Sequence, residues 1–125
     1  MAQIQLEDTG LLISETDAFG NITFANDDFI KYSGYSWDEL IGKPHNILRH
    51  PDMPKAAFAD LWNVAKSGKV WNGFVKNRTK SGDYYWVFAT LSSVKAPDGS
   101  VRYLSLRNKP TSQEIEKYEL LYKTM

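Results

Sequence analysis

Cysteine is absent from this 125-residue chain. Disulfides, thiolate nucleophiles, cysteine-ligated zinc and any photochemistry that proceeds through a cysteinyl adduct are therefore excluded. Net charge is absent as well, because 15 basic residues balance 15 acidic ones. No overall field draws the chain to nucleic acid, and its Lys/Arg clusters are too short to change that. No stretch approaches the roughly 18 apolar residues of a membrane-spanning helix, and the first residues lack the pattern of an export signal. The expectation is a soluble, cytoplasmic chain that inserts no segment of its own into a membrane. Internal repeats, low-complexity tracts and a G-x-S-x-G nucleophile elbow are also missing. The two histidines, His45 and His50, stand in a proline-broken loop without companion ligands, which argues against a metal site.

What the chain does have is apolar and aromatic residues, at 42% and 14%, enough for one domain with one core. Leu11-Leu12-Ile13 and Ile22-Thr23-Phe24 flank Asp17, Gly20 and Asn21, the pattern of a hairpin. Asn26 stands as a helix cap before Phe29, Ile30 and Tyr32, with Gly34 as the stop. Ser36 and Glu39 form a capping box for a second short helix. Three prolines, Pro44, Pro51 and Pro54, then break the chain into a loop with at most a helical turn. From Pro54, read as the first helical residue with Asp52 as a candidate cap, Phe58, Leu61, Trp62 and Ala65 mark a longer helix that ends at Gly68.

Beyond Gly68 the period changes to two. Trp71, Gly73, Val75 and Asn77 share one face of a strand; Tyr84 to Val94 and Val101 to Arg107 supply two more, with turns at Lys80 to Asp83 and Pro97 to Gly99. Thr111 and Glu114 open an amphipathic helix carrying Ile115, Tyr118 and Tyr122. This order predicts an α+β fold with helices on one side of an antiparallel sheet, and a pocket under the loosely packed short helices.

Several segments resemble a known family. The run from Lys43 to Trp62, with its Arg49-His50-Pro51-Asp52-Met53-Pro54 string, is similar to the sensory domain of bacterial aerotaxis receptors. So are Ala25-Asn26-Asp27, Trp71-Asn72-Gly73, Val75-Lys76-Asn77-Arg78 and Gly82-Asp83-Tyr84-Tyr85-Trp86-Val87. The resemblance implies a PAS fold, a five-stranded antiparallel sheet with short helices over one face, spanning residues 11–110 between an N-terminal segment 1–10 and a C-terminal helix 111–125. It also implies non-covalently bound FAD whose redox state reports on oxygen or respiratory electron flow. Carried over residue by residue, Arg49, His50 and Asp52 fall on the cofactor-binding string, while Asn26, Phe58, Trp71 and Asn77 match residues around the pocket. A homodimer, or contact with a downstream HAMP or chemoreceptor domain, is the implied partner, and no substrate is turned over.

Each of these residues has a plainer reading. Arg49 suits a pyrophosphate but could equally pair with Asp52; Asp52 would repel a phosphate and is better suited to orienting or capping. His50 can donate in either ionisation state, or act as the axial ligand of a haem, which keeps a haem gas sensor as the rival cofactor reading. Asn26 can be a helix cap, Trp71 a core residue, and Phe58 and Trp62 the apolar face of their helix; His45 reads as a loop histidine without a special function. Asn77 shares the interior face with Trp71, where a buried amide needs partners. A cofactor-free dimerisation module is the remaining class.

Overall fold

The computed structural model describes residues 1–125. Asp17 turns the chain between the first two strands: its carboxylate accepts from the N–H groups of Phe19 and Asn21 at 2.9 Å each. That turn folds β1 (Leu11–Thr16) against β2 (Ile22–Ala25). Asn26 then joins sheet to helix. Its Oδ1 accepts from the N–H groups of Phe29 and Ile13 at 3.0 Å each, and its Nδ2 donates to the Leu11 carbonyl at 2.8 Å. The helix it opens, α1 (Asp27–Ser33), closes at Gly34, whose φ of 76° glycine adopts without a Cβ penalty. The capping box of Ser36 and Glu39 starts α2 (Trp37–Leu40), and a single 3-10 turn (His45–Leu48) interrupts the proline-rich loop.

The longer helix, α3 (Lys55–Lys66), departs from expectation at its start. Pro54 is its cap position, outside the helix, and no side chain caps it. Asp52 does not serve, because its carboxylate turns to the Lys76 ammonium at 3.0 Å, a pairing of two full charges.

Three long strands complete the sheet: β3 (Trp71–Arg78), β4 (Tyr84–Lys95) and β5 (Val101–Asn108). All neighbours are antiparallel, in the order β2-β1-β5-β4-β3. Val75 and Asn77 of β3 stand opposite Val87 and Tyr85 of β4, and Ala89 stands opposite Arg107 of β5, so these positions share the inner face. Leu12, Ile22, Phe29, Leu40 and Leu48 pack there without solvent contact, each burial contributing about 1.5–3 kcal/mol before entropy is counted. Leu6 of the N-terminal segment joins this core, tied down where the Glu7 N–H donates to the Tyr32 hydroxyl at 3.1 Å.

The expectation of helices on one face holds for α1 to α3. The last helix, α4 (Ser112–Lys123), starts at the Thr111–Glu114 capping box and crosses to the outer face. There Tyr118 stacks on Phe74 and Tyr122 on Trp86, with ring centroids 4.3 and 5.9 Å apart. No helix is long and apolar enough to cross a membrane.

Candidate ligand-binding site

Small residues in the middle of the sheet and a proline-broken roof leave space that the core does not fill. The resulting cavity measures about 530 Å³, within the roughly 300–1,000 Å³ of small-molecule sites. Val75, Asn77, Ala89, Leu91, Tyr103, Ser105 and Arg107 form its floor, and His45, Arg49, Phe58, Leu61 and Trp62 its roof. Exposed Phe19 and Lys66 stand at its rim.

The floor carries a charge. Arg107 is 7% exposed, its Nε donating to Ser105 Oγ at 2.9 Å and its Nη1 to Asn77 Oδ1 at 3.4 Å. None of the ion pairs in the chain includes it. Burial lowers its pKa to about 10, so the guanidinium is still a cation at neutral pH. Beside it, Asn77 Nδ2 and the Tyr85 hydroxyl are buried without hydrogen-bond partners, although the amide lies close enough to influence the phenol. Burial pushes the Tyr85 hydroxyl up to about 12, so it stays protonated as a donor. Each such orphaned group costs about 1–3 kcal/mol, and an unpaired buried charge costs more. Donors left short of acceptors are what an electron-rich or anionic ligand would complete.

Two of these residues escaped the sequence reading. Arg107 reads in sequence as a strand end because β5 runs against the ordinary alternation: Tyr103, Ser105 and Arg107 point inward while Leu104 and Leu106 lie on the other face. The available signal was the register opposite β4, not hydrophobicity. His45, read as a loop histidine, faces the cavity with Nε2 3.1 Å from Ser14 Oγ and its ring edge-on to Phe29. Burial, and then the charge of Arg107, lowers its pKa to about 3, so it is neutral. A loop without periodicity offers no clue to that placement.

Of the seven residues carried over by resemblance, the cavity brings together Arg49, Phe58 and Asn77. The Arg49 guanidinium lies 4.1 Å from the Phe58 ring centre, and its backbone bridges to that of Asn77. It does not pair with Asp52 or with any other carboxylate. The other four lie outside the cavity lining. Asn26 is fully engaged as cap and strand tie. Asp52 is exposed and bonded to Lys76. His50 accepts the Asp52 N–H on Nδ1 at 3.0 Å, and burial followed by the Lys76 charge lowers its pKa, so it is no cationic partner for Asp52. Trp71 donates from Nε1 to Asp60 Oδ2 at 2.9 Å and lays its ring over Gly73, clamping α3 to β3.

The sequence that builds this sheet and its short helices matches a known family, the PAS fold, over residues 22–108. The chain belongs to the PAS-fold family. Its sequence is 49% identical over 96% of its length to the aerotaxis receptor of Escherichia coli, of which it covers 24%. It is 34% identical over 74% of its length to a biofilm dispersion protein of Pseudomonas aeruginosa, of which it covers 22%. The PAS chain thus spans about a quarter of the length of these relatives. Among solved structures, the light state of the blue-light photoreceptor Aureochrome1 LOV superposes with a TM-score of 0.76 at 20% identity, covering 91% of each chain. That likeness establishes the five-stranded PAS architecture.

Proposed function

We propose that this PAS domain is a redox sensor that holds a flavin, FAD in particular, in the cavity between its sheet and α3. The observation that carries this reading is the buried, unpaired Arg107 guanidinium beside the orphaned Asn77 amide on the cavity floor. A flavin ring presents carbonyl oxygens and ring nitrogens to such donors and a flat apolar surface to Val75, Ala89 and Leu91. When bound it supplies reversible reduction, with a change of charge and protonation on the ring. A fixed cation next to that ring favours the more negative state, and Asn77 can turn either end of its amide toward whichever atom changes. His45 stays neutral beside it and contributes a hydrogen-bonding wall without a second charge.

Arg49 offers the second anchor. Stacked on Phe58 and free of any carboxylate, its fork is available to phosphate oxygens, which supports a phosphate-bearing flavin over a bare ring. The 49% identity to an aerotaxis receptor supports a signalling role, with the reading passed to a chemoreceptor-type domain or a second copy and no substrate turned over. His50, the residue set aside for a haem, is absent from the cavity lining.

Absorbance of the purified protein is the test. Flavin bands in the blue and near ultraviolet, with released cofactor migrating as FAD, are expected. A colourless protein that takes up no added FAD would overturn the proposal. Because the chain has no cysteine, illumination should leave those bands without the bleaching of a cysteinyl adduct.

A further inference from the structure

Lys76 immediately precedes Asn77 in β3, so its side chain leaves the opposite face of the sheet from the cavity. It is 6% exposed, and two carboxylates from different elements hold its ammonium. Asp52 Oδ2, in the loop that follows Arg49, lies at 3.0 Å, and Glu119 Oε1, on α4, at 3.3 Å. The Tyr84 ring centre lies 4.4 Å from the same nitrogen. The Lys76 backbone is tied to the loop as well: its N–H donates to Met53 Sδ at 3.3 Å, and its carbonyl accepts from the His50 N–H at 3.4 Å. Segment 49–53 therefore touches the cavity through Arg49 and the outer face through Asp52.

α4 is held lightly. None of its residues is buried, and a helix of this length is marginal without packing. Its attachments are Tyr118 on Phe74, Tyr122 on Trp86 with the Tyr122 hydroxyl donating to the Phe74 carbonyl at 2.7 Å, and Glu119. Glu119 Oε1 accepts from Trp86 Nε1 at 3.0 Å and forms an ion pair with Lys76 Nζ.

We infer that Lys76 is a positioning residue that couples the cavity loop to α4, because Asp52 and Glu119 compete for its single ammonium. Withdrawing Asp52 leaves the cation to Glu119 and removes repulsion between the two carboxylates, so α4 tightens. Drawing Asp52 closer loosens it. A ligand that reorganises Arg49 thereby changes the hold on the helix from which a signal would leave the domain. The coupling does not depend on the ligand; only its being driven by a flavin rests on the function proposed above.

Amide hydrogen exchange of α4 in the 125-residue chain reads this directly. Without ligand, Lys76→Met and Glu119→Gln should speed exchange over residues 112–123 by about threefold, the scale of a modest ion pair, while β3 to β5 stay protected. Glu119→Gln leaves the sheet untouched and carries the same reading if Lys76→Met fails to fold. Asp52→Asn should slow α4 exchange by about threefold and lose at least half of that effect in the Lys76→Met background. No change with Asp52→Asn, or an equal change in both backgrounds, would reduce Lys76 to a structural support and overturn the coupling. FAD added as the probe separates the two proposals. Binding with a shift in α4 exchange that Lys76→Met abolishes supports both. Binding without a shift overturns the coupling of ligand to helix alone. Absence of binding with the mutant cycle intact overturns the flavin reading alone.

Discussion

Arg107 and Asn77 meet on the cavity floor, guanidinium to amide oxygen at 3.4 Å, with no carboxylate to balance the charge. A cation buried in this way opposes folding, so its presence points to the ligand rather than to stability. Arg107→Met keeps the length and removes the charge. The flavin-free domain should change little in stability, because loss of the unpaired buried charge offsets the acceptors left open on Asn77 and Ser105. Flavin retention should fall by about tenfold, the scale of one charged hydrogen bond. Urea titration of flavin-free protein and absorbance of the purified holoprotein measure the two effects. A marked loss of stability would show that the guanidinium is a structural strut.

Arg49→Ala should act on the ligand and spare the fold. The Arg49 contact with the Phe58 ring is partly exposed, so losing it costs about 0.5–1 kcal/mol, whereas a lost phosphate partner costs more. The expected result is a melting temperature near that of wild type and flavin content well below it. Unchanged flavin content would remove Arg49 from the site.

Trp71 and Gly73 should behave in the opposite way. A methyl group on Gly73 would collide with the Trp71 ring, so Gly73→Ala should destabilise by about 1–3 kcal/mol through overpacking. Trp71→Phe keeps a ring but loses the bond to Asp60, at about 1–2 kcal/mol. Whatever fraction stays folded should retain its flavin in both variants. Flavin lost from fully folded Trp71→Phe would instead place the indole against the ligand, as the resemblance implied.

The sequence made the scaffold legible wherever a local rule acts alone. The two capping boxes, at Ser36 and Thr111, and the Gly34 stop stand where they were expected, because capping depends on a few neighbouring residues. Strand parity likewise put Val75 and Asn77 on the inner face. The site itself was only half legible. Arg107 and His45 owe their placement to partners far along the chain, Ala89 across the sheet and Ser14 in β1. Asp52 was drawn from capping by Lys76, which lies 24 positions away. The same distance effect sent α4 to the outer face, since an amphipathic stripe does not say which surface it meets.

His45 makes the acid side of the stability profile informative. Its folded pKa of about 3 lies below the ordinary value of 6.5, so between these two values the unfolded chain binds a proton that the folded chain refuses. Stability is expected to fall as the pH drops below 6.5, by at most about 1.4 kcal/mol per pH unit, the half-buried ring keeping the slope below that limit. His50, also lowered by burial, adds in the same direction. The carboxyl groups of Asp52, Glu39 and Asp98 are held below their ordinary range, chiefly by side-chain hydrogen bonds to Lys76, Lys80 and Ser100. Their stabilisation is lost only below about pH 4. The window from about pH 6.5 to 4.5 therefore belongs to the histidines. Urea titrations across it should show a decline in wild type that His45→Gln largely removes and His50→Gln only trims. A profile that stays flat over that window in wild type would mean that protonated His45 is accommodated on the cavity wall.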